Sequence, residues 1–357
     1  SIPLSSTSSN PAVIAEGYRE WLSQKTAHLK VPGFPLQREL LIEKNWIPLQ
    51  AKLREGDQTS FDAEFIPELY RLSVLIGAPG TGKSTLLKRL AHCLSAAGKW
   101  VIFIRLPDVK KLLDSDKSEG FEWAILKAAA DNSGFNDKEL RLALSTPDYL
   151  LADGLDECKS DRANIADKLD AWVKAHSSTK VVITTRPSYE SGILPGWQPI
   201  KLSPLNKPDI WKYSEQLLIA YCEDAAKVQE RLDLLHQQLQ DSIKASLAVK
   251  NPLILGFIVQ LIAEDVEIGQ NRTQLYNNIV QLASKRSPLD RKPIEFRERD
   301  AQRIFEIAGW QLLHKPELAA DELINSIIEE LELRGYTLRE AEEKAELGVE
   351  FWQNRCI

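Results

Sequence analysis

Nine consecutive residues, Gly77, Ala78, Pro79, Gly80, Thr81, Gly82, Lys83, Ser84 and Thr85, carry the chain's most specific chemistry. Gly77, four residues and then Gly82-Lys83-Ser84 is the spacing of a Walker A phosphate loop, in which a glycine-rich turn wraps a polyphosphate with backbone N–H groups. Side chains at the glycines would obstruct that wrap. Lys83 is placed to reach the β- and γ-phosphates, Ser84 to ligate Mg²⁺, and the helix that follows to point its positive end at the anion. The motif predicts binding of a Mg²⁺-nucleotide.

A loop of this kind needs a strand before it and a helix after it. Residues 72–76, Leu-Ser-Val-Leu-Ile, form an apolar run suited to a buried parallel strand, and Leu86, Leu87, Leu90 and Leu94 recur at helical spacing. Further along, residues 149–153 form a second apolar run ending in Asp153, which would deliver a carboxylate to the Mg²⁺ shell. Asp156 and Glu157 lie just past that strand end, where one or both could orient or deprotonate an attacking water. A third run, residues 181–185, ends in Thr184-Thr185-Arg186-Pro187. Either threonine could hydrogen-bond water or phosphate, and Arg186 could sense the γ-phosphate by charge-assisted bonds. The expected catalytic set is therefore Lys83, Asp153, Asp156, Glu157 and Arg186, with Ser84 and Asp153 as metal ligands.

Strands at 72–76, 100–105, 149–153 and 181–185, with a fifth at 200–202, alternate with helices at 83–96, 121–130 and 162–176. That alternation predicts an α/β doubly wound parallel sheet of the P-loop kind, with its ligand at the carboxyl ends of the strands. After Pro204 the alternation stops. Helices are expected at 209–220, 225–248, 252–263 and 273–284, then at 295–313, 319–333 and 338–354. Residues 50–70 read as a connection. The division expected is a lead segment at 1–50, a nucleotide-binding domain at 51–205, a helical domain at 206–285 and a last domain at 286–357.

The net charge of −6 argues against a strongly basic nucleic-acid binder. The longest uncharged apolar stretch, residues 251–263, is too short to span a bilayer, and the N-terminus lacks a signal pattern, so a cytoplasmic location is expected. Cys93, Cys158, Cys222 and Cys356 are scattered without metal-ligand spacing and read as reduced, small apolar residues. Residues 285–303 hold seven basic and four acidic residues, whereas 321–350 hold ten acidic and three basic. Solvated faces explain this, and a contact between unlike patches is the functional alternative.

The phosphate loop, the Asp153-Gly-Leu-Asp156-Glu157 run, the Thr184-Thr-Arg-Pro187 run and Asn251-Pro252-Leu253 together resemble a NACHT NTPase of the STAND class. The resemblance is most specific over residues 72–205, and the lead up to Trp46-Ile-Pro-Leu49 is similar to the stretch preceding this domain in bacterial members. It implies an ATP/ADP-regulated switch, closed around ADP by nucleotide-binding, helical and winged-helix domains, which opens to self-oligomerise on activation. It also implies adenine contacts from Pro252, Ile47 and Pro48. Effector and sensor domains would lie outside this chain, and family members act in immune defence. The family's Phe-x-His motif, whose His meets the ADP β-phosphate, has no counterpart here, and His314 falls too early. A winged helix cut short is therefore expected.

Three rival readings remain. Asn206-Lys207-Pro208-Asp209 matches a guanine-reading motif, although Asn206 and Asp209 equally suit a helix start. An AAA+-like remodelling ATPase would share the phosphate loop and the acidic strand end, and a scaffold holding ADP without cycling would need only the loop.

Overall fold

The computed structural model describes residues 10–29, 31, 40–53, 57, 59–116, 118–131, 133–143, 146–187, 194–222, 224–241, 248–284, 298–315 and 320–354. The lead-in at 1–9, most of the basic stretch at 285–303, residues 242–247 of the helix expected at 225–248, and Cys356 lie outside them. The chain divides into two compact units, residues 1–29 with 40–206, and residues 30–39 with 207–357.

In the first unit seven strands form one sheet: β1 (Gln50–Lys52), β2 (Phe61–Asp62), β3 (Leu72–Ile76), β4 (Val101–Arg105), β5 (Tyr149–Asp153), β6 (Lys180–Thr185) and β7 (Gln198–Leu202). Their order is β2-β1-β7-β3-β6-β5-β4. The five from β7 to β4 are parallel, as the α/β alternation predicts, while β1 runs antiparallel to both β7 and β2. Residues 50–70 are thus more than a connection. They add two short strands at one end of the sheet, β2 at its edge, and a turn of helix, α2 (Ile66–Leu69), which follows α1 (Pro11–Lys25) in chain order.

Every residue of β5 is buried, which explains why Tyr-Leu-Leu-Ala reads as a continuous apolar run rather than an alternating one. Helix α3 (Lys83–Ala96) buries Leu86, Leu87 and Leu90, a stripe recurring once per turn. Each such leucine contributes about 1.5–3 kcal/mol by leaving water. Two helices were not expected, α4 (Leu106–Ser115) and α6 (Asp137–Ala143), which flank α5 (Phe121–Ala130). Helix α4 follows β4 directly, with Pro107 in its first turn, where the missing N–H is harmless. α7 (Arg162–Ala175) then leads into β6.

α3 is held by the lead segment and by Glu64 beyond it. Lys88 Nζ donates to the His28 carbonyl at 2.5 Å, and Arg89 pairs with Glu64 at 2.7 Å. His92, 6% exposed, has Nδ1 2.8 Å from the Ser23 carbonyl and Nε2 3.1 Å from Glu43 Oε1.

The second unit is helical among its described residues. α8 (Lys207–Tyr221), α9 (Ala225–Asp241), α10 (Pro252–Ala263) and α11 (Arg272–Ser284) bury Leu217, Leu218, Leu235, Leu255, Ile258 and Leu261. A further cluster joins α12 (Glu298–His314), α13 (Ala320–Leu333) and α14 (Leu338–Asn354) through Ile304, Ile307, Ile327, Leu331, Phe351 and Trp352. Trp352 Nε1 donates to the Ala301 carbonyl at 2.8 Å, and Lys344 pairs with Asp300 at 2.7 Å. α12–α14 contain no strand among the described residues.

Candidate functional site

The phosphate loop leaves the end of β3 and closes on itself through its main chain. Gly77 N–H donates to the Thr185 carbonyl at 3.3 Å, and the Thr81 amide and hydroxyl both donate to the Ala78 carbonyl, at 3.3 and 2.9 Å. Gly80 and Gly82 adopt φ of 76° and 94°, left-handed values that favour glycine. A Cβ at Gly77 would meet Thr81 Oγ1 at 2.5 Å. A Cβ at Gly82 would meet Leu49 Cδ1 at 2.9 Å, so the segment carrying Ile47 and Pro48 lies against the loop. Ile47 and Leu49 are buried and Pro48 is half-buried.

Lys83 opens α3 and turns its ammonium back into the loop, donating to the carbonyls of Gly77 at 2.6 Å and Ala78 at 3.2 Å. Burial lowers its pKa, and the charges of Asp156 and Asp153 only partly oppose this, with Arg186 acting in the same direction as burial. Lys83 is thus set among the acids expected to share the site with it. Ser84 follows it in the first turn and is exposed, as are Ala78 and Pro79.

Because β6 lies between β3 and β5, its end meets both halves of the site. Thr184 Oγ1 donates to Asp153 Oδ1 at 2.5 Å and accepts from Gly154 N–H at 2.8 Å. This distinguishes the two threonines: Thr184 engages the strand-end carboxylate, and Thr185 uses its carbonyl on the loop. Asp153 is 9% exposed and has no cation hydrogen-bonded to it among the described residues.

Past Asp153 the backbone reverses at Gly154, φ 82°, into a 3₁₀ turn, Leu155–Asp161. Asp156, 8% exposed, pairs with Arg186 at 2.8 Å. Glu157 pairs with Arg105 at 2.6 Å, with 42% of its side chain exposed. Cys158 is buried behind the turn, and burial pushes its thiol up to about 12, in keeping with a reduced apolar residue.

Arg105 and Leu49 are the site residues that sequence reasoning missed. Arg105 is the last residue of β4 and pairs in register with Asp153, so comparing the final residues of neighbouring strands would have found it. Leu49 carried no chemical signal. Pro252 belongs to the second unit, where it is the first residue of α10; Asn251 caps that helix by accepting from Leu253 N–H at 3.0 Å and Ile254 N–H at 3.4 Å. Lys207 begins α8 and Asp209 lies in its first turn, so the Asn206–Asp209 match to a guanine reader is the start of a helix.

Residues 71–221 match the model of the NACHT domain, which makes this part of the chain a nucleotide-binding P-loop NTPase domain. No curated protein matches the chain. Among solved structures, domain III of the Thermotoga maritima replication initiation protein DnaA is similar at 15% identity, covering 61% of this chain and 85% of that one, with a TM-score of 0.37. AMPPCP-bound DnaA from Aquifex aeolicus shares 11% identity over 81% of this chain and 82% of its own, with a TM-score of 0.37. The Aeropyrum pernix ORC1 protein in complex with DNA shares 16% over 78% and 77%, with a TM-score of 0.33. Likeness at that level carries no argument about the site.

Proposed function

We propose that the chain binds ATP and ADP with Mg²⁺ and hydrolyses ATP slowly, as a nucleotide-dependent signalling switch. The observation that carries this is the convergence of Lys83, Asp153, Asp156, Glu157 and Arg186 at the carboxyl edge of β3, β6 and β5. The loop's amides would cradle the phosphates and Lys83 would contact the β- and γ-oxygens. Ser84 and Asp153 supply oxygen ligands of the kind Mg²⁺ takes, completed by phosphate and water. Bound there, Mg²⁺ would neutralise charge on the β- and γ-phosphates.

In the hydrolytic step a water oxygen bonds to the γ-phosphorus, the bond to the β–γ bridging oxygen breaks, and the water proton passes to a carboxylate. Glu157 suits that role better than Asp156. It is the more exposed of the two, whereas Asp156 is buried against Arg186. Arg186 is half-exposed and would exchange part of its contact with Asp156 for the γ-phosphate, which suits a group that senses the nucleotide state.

The remaining parts of the reading rest on the NACHT match and on the motifs. Ile47, Pro48 and Pro252 would border the adenine, residues 1–50, 51–205, 206–285 and 286–357 would act as lead, nucleotide-binding, helical and partial winged-helix domains, and activation would proceed by self-oligomerisation. Immune defence in the cytoplasm, with effector and sensor domains elsewhere, is the biological setting proposed. No helix among the described residues is long and apolar enough to cross a membrane.

A thermal-shift panel of ADP, ATP, GDP and GTP, each with and without Mg²⁺, tests the proposal. Ligand at 100 times its dissociation constant stabilises by about 2.7 kcal/mol, so adenine nucleotides with Mg²⁺ should raise the Tm clearly. A larger shift with guanine nucleotides would transfer the assignment to a GTP switch, and no shift with any of them would remove it.

A further inference from the structure

The pairing of Arg105 with Glu157 is unexplained by nucleotide binding alone, and it joins two strand ends that local sequence does not connect. Nη2 of Arg105 lies 2.6 Å from Oε2 of Glu157, across 52 residues of sequence. Arg105 stands in register with Asp153, so the guanidinium rises from the strand neighbouring the strand-end carboxylate. The Glu157 carboxyl also rests over Gly154, where an added Cβ would lie 3.1 Å from Cδ and 3.3 Å from Oε2. The Glu157 amide also donates to the Gly154 carbonyl at 3.1 Å. Oε2 is therefore the oxygen that meets both the cation and the glycine, and Oε1 is the oxygen left to meet a water.

We infer that Arg105 is a positioning residue for hydrolysis, acting through Glu157 and not through the nucleotide. This rests on the reading of Glu157 as the proton acceptor. The pair is half exposed, with 56% of the Arg105 side chain and 42% of the Glu157 side chain accessible, so it contributes little to folding stability. What it supplies is orientation: an exposed glutamate samples many rotamers, and a guanidinium fork in contact with one oxygen restricts them. Gly154 is the complementary element, because its missing side chain leaves room for the carboxyl in that rotamer.

The test is single-turnover ATP hydrolysis together with equilibrium binding of ATP and ADP, in Arg105→Gln, Arg105→Lys, Glu157→Gln and the Arg105→Gln/Glu157→Gln double variant of the full chain. Arg105→Gln should slow hydrolysis about tenfold to a hundredfold, a part of the roughly hundredfold or more that a general base supplies, and leave both affinities unchanged. Arg105→Lys should recover part of the rate. The double variant should be no slower than Glu157→Gln alone, since removing the tether matters only while the carboxylate is present. Multiplying losses in the double variant would overturn the inference, as would a drop in ATP affinity beyond that for ADP, which would make Arg105 a phosphate contact. Normal hydrolysis in Arg105→Gln beside slow hydrolysis in Glu157→Gln would remove Arg105 alone. Normal hydrolysis in Glu157→Gln would remove the proton acceptor itself and Arg105's role with it.

Discussion

The phosphate loop is shaped by main chain within nine consecutive residues, whereas the acidic turn after β5 is shaped by side chains arriving from the ends of β4 and β6. In the loop the defining features are two left-handed glycines and carbonyls that collect the Thr81 and Lys83 donors. In the turn, each carboxylate has a different distant partner: Thr184 for Asp153, Arg186 for Asp156 and Arg105 for Glu157. On the proposed reading, anion recognition is thus a local property of the chain, and proton and metal chemistry is a property of the assembled sheet. Damage to the first should abolish binding, and damage to the second should spare binding and impair hydrolysis.

Lys83→Ala is the severest way to break that contrast. It removes the loop side chain proposed to contact the phosphates, and nucleotide-induced stabilisation should disappear, a loss of about 2.7 kcal/mol at ligand concentrations 100 times the wild-type Kd. Isothermal titration with ADP and ATP checks it, and unchanged affinity for both would refute the loop's role. Thr184→Val comes next and addresses the turn. It leaves the Gly154 amide and Asp153 Oδ1 without their shared hydroxyl in a buried place, and unfolding in urea should show about 1–3 kcal/mol lost. ADP affinity should survive that change; its collapse would mean the two halves are not separable.

The smallest effect is a pH dependence centred on Lys83. Its pKa is lowered by burial, so the ammonium is lost at a lower pH than for an exposed lysine. ADP affinity should therefore weaken early in the alkaline range, and Lys83→Arg should remove that dependence. The sign for the nucleotide-free fold is opposite. Because the folded state holds this proton less tightly than the unfolded chain, its contribution to stability rises as pH passes through the lowered value. Affinity that stays flat into the alkaline range in the wild type would show that phosphate contact does not depend on this charge.

The same contrast governs what the sequence alone reveals. β3, α3, β5 and β6 are legible because buried strands and an amphipathic helix leave continuous or periodic apolar patterns. Lys83, Asp153, Asp156, Glu157 and Arg186 are legible because they sit at the ends of those elements. β1 and β2 are not, since strands of three and two residues are too short for any periodicity and exist through pairing, β1 with β7 and β2 with β1. α4 was obscured by Pro107, which reads as a break unless it is placed in a first turn; Leu106, Val109 and Leu113 do recur at helical spacing. Arg105 differs in kind: nothing beside it in sequence marks it, and its significance arises only when β4 is laid next to β5. Leu49 is similar, a buried leucine until Gly82 is found beneath it.

One consequence of β6 lying between β3 and β5 concerns how lengths can change in this family of folds. Thr184 and Thr185 serve opposite partners, one by side chain and one by carbonyl, and their roles are assigned by strand parity. Inserting or deleting a single residue in the turn before β6, where the Thr179 amide bonds the His176 carbonyl, would shift the strand by one place and rotate every side chain to the other face. Ile183 or Thr185 would then stand where Thr184 does, and the apolar layers would be left mismatched. A shift of two places keeps parity but puts Val182 or Arg186 where Thr184 stands. Length change in that turn is accordingly compatible with the Thr184–Asp153 hydrogen bond only where the turn absorbs it and β6 keeps its register.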